Sequence, residues 1–189
     1  MAKVKLNVGE GLQGAIWLSK PYQLNRRNPV HRHEELEANL VVRGGGRYMV
    51  GDRRFEMTPG TLIWLFPGQD HVLIPESYDF VMWIMVLRRK WVQQHCTTEH
   101  ASVLRQHDPK TVFCDRIAPV RHRNLLELFE QVQSRRDDPA LINAGLAWLM
   151  LRLWQATRTA EDATEAVEVH PAVERAIYML RDESQSPGI

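Results

Sequence analysis

Cysteine is scarce in this sequence of 189 residues. Cys96 and Cys114 lie 18 positions apart, and neither belongs to a CxxC pair or to a larger cluster. This spacing excludes a disulfide framework and a thiolate metal site, and it favours reduced, buried thiols in a cytoplasmic protein. A secretory leader is not predicted either, because polar residues interrupt the apolar residues that follow Lys3 and Lys5.

A large excess of charge of one sign is also missing. Twenty-four basic residues stand against 23 acidic ones, so the formal net charge is +1, and no charge field indicates binding to nucleic acid or to a membrane. The charge is uneven, since residues 159–189 contain two basic and seven acidic residues, which indicates a boundary near residue 158. The most apolar stretch, 140–154, includes Asn143 and Arg152 and is shorter than a bilayer span, so it predicts a buried helix.

Short segments of alternating or wholly apolar residues fill the chain from residue 1 to about 118. Turn residues separate them at intervals of about ten positions, a pattern typical of an all-β sandwich or barrel. The predicted strands are 3–8, 15–19, 35–43, 47–50, 53–57, 61–66, 71–74, 80–87 and 111–117. Both faces of the 80–87 strand are apolar, which places that strand at the centre of a sheet.

The periodicity becomes helical after about residue 120. The stripe of a first helix, which ends near Pro139, consists of Leu125, Leu128, Phe129 and Val132. A second helix over 140–156 is apolar on nearly every side, so it needs burial on more than one face, either against the barrel and a neighbouring helix or against a second subunit. Residues 157–168 predict a linker or a weak helix. A third stripe consists of Val173, Ala176, Ile177 and Leu180.

The patterns together predict a mainly β fold followed by two to three α-helices. We expect a β-barrel over residues 1–118 and a helical segment over 119–158. Residues 159–189 predict a linker and the start of a further unit. Because the last amphipathic helix has nothing after it to pack against, we expect the native chain to continue past Ile189.

Three side chains of metal-ligand type lie close together in the sequence. His31, His33 and Glu37 occupy odd positions, so they project from one face of a strand, and His71 follows a Pro67-Gly68 turn that can bring it alongside. Three nitrogens and one oxygen suit Fe(II), Mn(II), Ni(II), Cu(II) or Zn(II), and the spacing does not choose among them. Histidines that are only hydrogen-bonded structural residues are the alternative.

The wider spacing resembles the two motifs of the cupin superfamily. His31-x-His33-x3-Glu37-x6-Gly44 is similar to the first motif, and Gly60 with Pro67-Gly68-x2-His71 is similar to the second. The resemblance implies a cupin-type double-stranded β-helix, in which His31, His33, Glu37 and His71 occupy the metal-ligand positions. The sequence departs from the motifs at Asn25, Thr61 and Pro75, which leaves these ligands intact but weakens an enzymatic interpretation.

Three further segments, 43–48, 59–62 and 65–71, resemble the sensory half of AraC-type transcription regulators. Residues 170–180 resemble the start of the DNA-binding domain of that family. The resemblance implies a domain that binds a small-molecule effector and forms a homodimer through the helices after residue 120, without being an enzyme. DNA would be contacted only through a C-terminal helix-turn-helix domain. The alternative is a stand-alone metal-dependent cupin enzyme, a dioxygenase or an isomerase, with Glu35 as its acid or base.

Four aromatic residues of the predicted barrel strands are candidates for stacking on an effector: Tyr48, Trp64, Phe66 and Trp83. Packing in the core is the alternative for each of them. Arg26, Arg27 and Arg32 can pair with an anionic effector or lie at the surface. The resemblance also implies that residues 1–20 form an N-terminal arm that can fold over the effector with Trp17 as a contact, and an edge-strand core residue is the alternative for Trp17. The predicted dimer contacts lie on the second helix, at Leu141, Leu146, Trp148, Leu149 and Trp154.

Overall fold

The computed structural model describes residues 2–19 and 29–160, together with residues 162, 163, 167, 168, 173 and 176. The described residues form twelve strands, three α-helices and one 3-10 helix. The strands are β1 (Ala2–Lys3), β2 (Gly14–Leu18), β3 (His31–Arg32), β4 (Leu36–Arg43), β5 (Gly46–Val50), β6 (Arg53–Met57), β7 (Thr61–Leu65), β8 (His71–Pro75), β9 (Val81–Leu87), β10 (Cys114–Arg116), β11 (Asp162–Ala163) and β12 (Val167–Glu168). The helices are α1 (Arg89–His95), the 3-10 helix (Glu99–Arg105), α2 (Pro119–Gln133) and α3 (Pro139–Arg158).

The strands form two six-stranded sheets that share one apolar interior. Sheet A has the order β1-β3-β8-β5-β6-β12, and sheet B has the order β11-β10-β7-β4-β9-β2. Every pairing is antiparallel except that between β1 and β3. Tyr48 and Phe55 of sheet A meet Ile63 and Ile84 of sheet B in one buried cluster. The prediction of a mainly β fold is therefore confirmed.

The central strands of sheet B are buried on both faces. Alternate side chains of a strand point to opposite sides, and in these strands both sets are buried. On β7, Ile63 and Leu65 point into the interior, whereas Leu62 and Trp64 belong to a second cluster shared with the helices. All seven residues of β9 are buried. This strand pairs with both β4 and β2, so its predicted central position is confirmed.

Helices α2 and α3 cover the outer side of sheet B. Leu125 and Phe129 of α2 join the same cluster as Leu146 and Leu149 of α3, so the stripe predicted for the first helix faces the core. Helix α3 begins where Asp138 accepts hydrogen bonds from the first backbone N–H groups and Pro139 fixes the first helical residue. No helix in the described part of the chain is both long and apolar enough to span a bilayer.

Several predicted boundaries were wrong. The first strand was expected over 3–8 but covers Ala2–Lys3, and the last barrel strand was expected over 111–117 but covers Cys114–Arg116. The short α1 and the 3-10 helix were not predicted at all, because seven residues give too few turns for a helical stripe to be recognised. The segment predicted to be a linker begins inside α3.

The linker also contributes backbone pairs to both sheets. Residues 162 and 163 pair with β10, and residues 167 and 168 pair with β6. Asn25, Arg26 and Arg27 lie outside the described residues. Of the predicted third stripe only Val173 and Ala176 are described, and both are helical. The division at residues 118 and 158 stays a prediction.

Candidate metal centre

Three of the four predicted ligands come together at one end of the interior. His31 lies on β3, His33 in the bend that follows it, and His71 is the first residue of β8 and pairs with His31 across the strands. One side-chain nitrogen from each ring lies within 4.8 Å of the other two. The ring centroids of His71 are 4.6 Å from His31 and 5.0 Å from His33. His33 and His71 are buried, and His31 is half-buried.

The chain reaches this arrangement by a route that strand alternation did not predict. His31 belongs to sheet A, the chain bends at residues 34 and 35, and Glu37 then belongs to β4 of sheet B. The predicted convergence of the histidines therefore arises from a crossing between sheets and not from one continuous strand. Glu37 stands beside the three histidines as a partner of His33 and is not part of the group whose atoms lie within 4.8 Å.

Each histidine is held through its Nδ1 atom by a backbone carbonyl two residues away. Nδ1 of His31 donates to the carbonyl of Pro29 at 3.0 Å, and Nδ1 of His33 donates to that of Glu35 at 3.1 Å. Nδ1 of His71 donates to the carbonyl of Gln69 at 2.9 Å. A carbonyl bonded to Nδ1 fixes the proton there and leaves the lone pair on Nε2, which is how second-sphere carbonyls prepare metal-binding histidines. The buried Nε2 of His71 has no hydrogen-bond partner. The three residues fit a divalent metal.

Glu37 begins a short chain of buried polar groups. Its Oε2 accepts a hydrogen bond from Nε2 of His33 at 3.0 Å, and its Oε1 accepts one from the Asn39 amide at 2.6 Å. The same Asn39 amide donates to the Tyr48 hydroxyl at 2.8 Å. Sequence reasoning missed Asn39, although its odd position on β4 places it on the same face as Glu37. The polar chain connects the histidines to the centre of the interior.

Burial and charge shift the pKa values of these groups in different directions. Burial lowers the pKa of His33, but the hydrogen bond and charge of Glu37 outweigh it, so the pKa is raised above 6.5. Burial raises the pKa of Glu37, but the contacts with His33 and Asn39 leave it lowered. Burial lowers the pKa of His71 to about 4. Neutral His71 and the paired His33 and Glu37 are therefore the forms present near pH 6.

Glu35 lies behind His33 and not in front of the three Nε2 atoms. Its backbone carbonyl accepts from Nδ1 of His33, and its carboxylate is 3.7 Å from the same Nδ1. This location suits a residue that orients His33. It does not suit the acid or base that the enzyme alternative assigned to Glu35, because a bound metal and its ligand would lie on the Nε2 side.

Only one of the four predicted stacking residues lies near the histidines. The ring centroid of Tyr48 is 6.4 Å from that of His71. Trp64, Phe66 and Trp83 lie on the opposite side of sheet B and belong to the cluster shared with the helices. These three candidates for stacking on an effector therefore lie beneath the helices and away from the histidines, because strand alternation alone could not assign the side of the sheet that the helices cover.

The helix-facing aromatics have partners of their own. Trp64 donates from Nε1 to the Thr157 hydroxyl at 2.9 Å and contacts Trp154 edge to face. Trp83 stacks on Phe129 with centroids 5.1 Å apart, and Phe66 contacts the ring of Phe113. Core packing, the alternative given above for these residues, accounts for them.

The other predicted contact residues are divided between core and surface. Trp17 on β2 is partly buried against the interior cluster, and Arg32 is exposed. Of the five predicted dimer contacts, Leu146, Leu149 and Trp154 are buried within the chain, whereas Leu141 and Trp148 are exposed by 51% and 53%.

A comparison of the sequence with protein families decides the class of this domain. The sequence model of the AraC-like ligand binding domain matches residues 16–150. The chain belongs to this family. The predicted resemblance is thereby confirmed, and so is the fold class, a mainly β cupin-type barrel followed by helices. No curated protein sequence matches the chain significantly.

Solved structures of the same kind are similar to the chain at low identity. The AraC-like transcriptional activator CuxR is 12% identical, with a TM-score of 0.48, over 93% of this chain and 59% of CuxR. Apo ToxT K231A from Vibrio cholerae is 7% identical, with a TM-score of 0.49, over 94% of this chain and 67% of ToxT. Wild-type ToxT with a bound unsaturated fatty acid is 9% identical, with a TM-score of 0.44, over 76% and 55%. The AraC-like domain described here thus spans 59% of CuxR.

Proposed function

We propose that this AraC-like domain senses a small-molecule effector for a cytoplasmic transcription regulator and holds a divalent metal at His31, His33 and His71. The observation that carries the proposal is the set of three convergent histidines, each with Nδ1 bonded to a carbonyl, with Nε2 of His71 unpartnered and Nε2 of His33 bonded to Glu37. A regulator of this kind works by linkage, because the ligand shifts two arrangements of the domain by its difference in affinity, typically about 1 to 3 kcal/mol.

The metal would be held by the three imidazoles after Nε2 of His33 loses the proton that it donates to Glu37, with Glu37 next to them. Zn, Ni, Fe and Mn all accept such a donor set, with coordination positions left for an oxygen or nitrogen of the effector. A bound metal supplies a Lewis-acid anchor for that atom. Tyr48 and Asn39 lie on the interior side of the same group and offer polar contacts to the rest of the ligand.

Homodimerisation is proposed through the outer face of α3. The exposed residues of this helix recur at alternating spacings of three and four, the pattern of a coiled-coil seam. They are Leu141, Ala144, Trp148, Leu151, Gln155 and Arg158. The Arg152 guanidinium lies 5.3 Å from the centre of the Trp148 ring and flanks this seam. A second copy of the helix offers the same apolar face in return.

DNA binding belongs to the proposal only through a further domain. Residues 170–180 resemble the start of the DNA-binding domain of AraC-type regulators, and CuxR is described as a transcriptional activator. The net charge of +1 supports the view that residues 1–189 do not themselves contact phosphates.

The experiment that tests the metal site is a calorimetric titration of Ni(II) and Zn(II) into protein purified without an affinity-metal step. We expect one metal per chain, and His71→Ala should weaken binding by more than about 100-fold, because it removes a ligand with a fixed geometry. His95→Ala is the matched control, since the exposed His95 also has Nδ1 bonded to a carbonyl, that of Trp91. Equal metal affinity in the His71 variant and the wild type would contradict the proposal.

A further inference from the structure

The turn before His71 contains a buried amide side chain, that of Gln69, which is only 7% exposed. The backbone carbonyl of Gln69 accepts from Nδ1 of His71 at 2.9 Å. Nε2 of the same ring has no hydrogen-bond partner among the described residues, so the bond to this carbonyl is the one that orients the ring. The proton position and the direction of Nε2 in His71 therefore depend on where the backbone of residue 69 lies.

The side chain of Gln69 closes the turn in which it lies. The Gln69 N–H donates to the Phe66 carbonyl at 2.9 Å, and Oε1 of Gln69 accepts from the Phe66 N–H at 3.1 Å. Residues 66 and 69 are thus joined by two hydrogen bonds of opposite direction. The carbonyl of the next residue, Asp70, accepts from the N–H of Gly51 at 2.9 Å. These bonds fix the backbone on both sides of the carbonyl that holds His71.

The same amide ties the turn to a loop that is distant in sequence. Nε2 of Gln69 donates to the Pro109 carbonyl at 3.2 Å, and the N–H of Gly68 donates to the His107 carbonyl at 2.8 Å. The packing is close, since a Cβ atom on Gly68 would lie 2.7 Å from Nδ1 of His107 and 2.8 Å from Cβ of Asp108. His107 and Asp108 are exposed, so this loop connects the buried turn to the surface.

Both hydrogen bonds of the Gln69 side chain go to main-chain atoms, those of Phe66 and Pro109. The side chain therefore restrains the backbone of the turn and does not act on the histidine ring directly. A leucine at position 69 fills a similar volume but leaves the Phe66 N–H and the Pro109 carbonyl unpaired. The turn and the loop are then free to separate, and the carbonyl of residue 69 is free to move away from His71.

We propose that Gln69 is a positioning residue for His71. Its side chain holds the 66–69 turn against the 107–109 loop, so that the Gln69 carbonyl keeps the proton of His71 on Nδ1 and turns Nε2 towards the other two histidines. The effect of Gln69 on metal affinity rests on the proposed function. Its effect on the ring of His71 does not, because it exists in metal-free protein.

The first test is a calorimetric titration of Ni(II) into the full chain, purified without an affinity-metal step. Gln69→Leu should bind Ni(II) about tenfold more weakly than the wild type, the lower end of the effect of changing a group that orients a metal ligand. The lower end applies because Gln69 acts through the backbone. Gly68→Ala should also weaken binding, since its Cβ pushes the 107–109 loop away from the turn.

Asn143→Leu is the matched control. The Asn143 amide also accepts from a backbone N–H, that of Gln13 at 2.9 Å, and donates to a backbone carbonyl, that of Gly11 at 3.1 Å. It lies on α3, which packs against sheet B, whereas His71 belongs to sheet A. We expect this variant to lower the Tm about as much as Gln69→Leu and to bind Ni(II) like the wild type.

The second test is long-range proton–nitrogen NMR of the metal-free proteins near neutral pH, which shows the ring nitrogen that carries the proton. We expect His71 to be protonated on Nδ1 in the wild type and in Asn143→Leu, and to be a mixture of both tautomers in Gln69→Leu. A change in stability alone does not move this signal. Circular dichroism confirms that each variant is folded, and Gly68→Ala replaces Gln69→Leu in both tests if the latter is not.

The proposal is overturned if both turn variants bind Ni(II) as tightly as the wild type, or if the tautomer of His71 is the same in Gln69→Leu as in the wild type. An equal loss of Ni(II) affinity in Asn143→Leu would also overturn it, because stability alone would then explain the effect. A wild type that binds no Ni(II) refutes the metal site, and the NMR comparison then decides the role of Gln69 by itself.

Discussion

The two sheets of this domain differ in what their outer faces contact. In sheet B every residue of β7 and β9 is buried, because the interior covers one face and the helices cover the other. In sheet A the outer face carries ion pairs, such as those of Arg47 with Glu56 at 3.2 Å and with Glu76 at 2.8 Å. Sheet B thus supplies most of the core, whereas the outer face of sheet A is partly exposed and has only a small buried cluster of Val30, Met49 and Val72.

The two sheets also differ in their proposed roles, since the proposed metal site lies on sheet A and most of the core lies on sheet B. The histidines lie on the two-residue strand β3, on the bend after it, and at the first position of β8, all at one end of sheet A. Short strands with few buried contacts open more readily than the centre of a doubly covered sheet. A site at this end can change its arrangement when a ligand binds, while sheet B and its helices keep their packing.

The largest expected effect comes from the helix-facing side of sheet B. Trp64→Ala should lower the free energy of unfolding by about 3 to 5 kcal/mol, because it leaves a cavity and an unpaired Thr157. Arg47→Ala on the outer face of sheet A should cost less than about 1 kcal/mol, as is usual for exposed ion pairs. Urea denaturation measures both, and similar losses would refute the contrast between the sheets.

The second prediction concerns the histidines in metal-free protein. His33→Ala should destabilise the fold by about 3 kcal/mol, because it leaves the buried carboxylate of Glu37 without its partner. His71→Ala should cost about 1 kcal/mol, since its Nε2 has no partner to lose.

Both measurements need a chelator in the denaturation buffer, and both variants should then lose the stabilisation that Ni(II) gives to the wild type. A loss of equal size for the two histidines without metal would show that Glu37 does not depend on His33.

The third prediction concerns the face of α3 that sheet B leaves uncovered. Trp148→Glu should weaken dimerisation by more than about tenfold, since aromatic residues at the centre of an interface commonly contribute 2 kcal/mol or more. Sedimentation velocity over a range of concentrations measures the change. Glu127→Lys, an exposed charge reversal on α2, is the control and should leave the association unchanged. A wild-type chain that is monomeric at all concentrations would refute the seam.

Sequence patterns predicted the β elements well and the side-chain environment less well. Alternation located β5, β6 and β7 within one residue, because each strand is short and bounded by turns such as Gly51 and Gly60, both of which adopt positive φ. Alternation also showed that strands had two apolar faces. It could not tell which face the helices cover, and this is why Trp64 and Trp83 were assigned to the interior.

The site shows the same limit. The spacing of His31, His33 and His71 was sufficient to predict their meeting, because it resembles a known pair of motifs. The contact of Arg88 with Val8 could not be predicted, since the two residues are 80 positions apart and neither belongs to a recognised pattern. Contacts between residues distant in sequence depend on the assembled fold, and local periodicity does not report them.

The smallest expected effect concerns Asp115, a partly buried carboxylate of sheet B. Burial raises the pKa of Asp115 on β10 from 3.8 to about 6. Because the folded chain disfavours the charged form, the penalty is present above pH 6 and fades as the pH falls towards 4. Asp115→Asn should therefore stabilise the protein at pH 7.5, by about 1 kcal/mol or less after screening by solvent, and should have no effect near pH 4. Thermal unfolding at several pH values measures this difference, with the exposed Asp137→Asn as a control expected to follow the wild type. A constant difference across the range would show that Asp115 has the same pKa in the folded and the unfolded chain, and that sheet B tolerates its charge as well as solvent does.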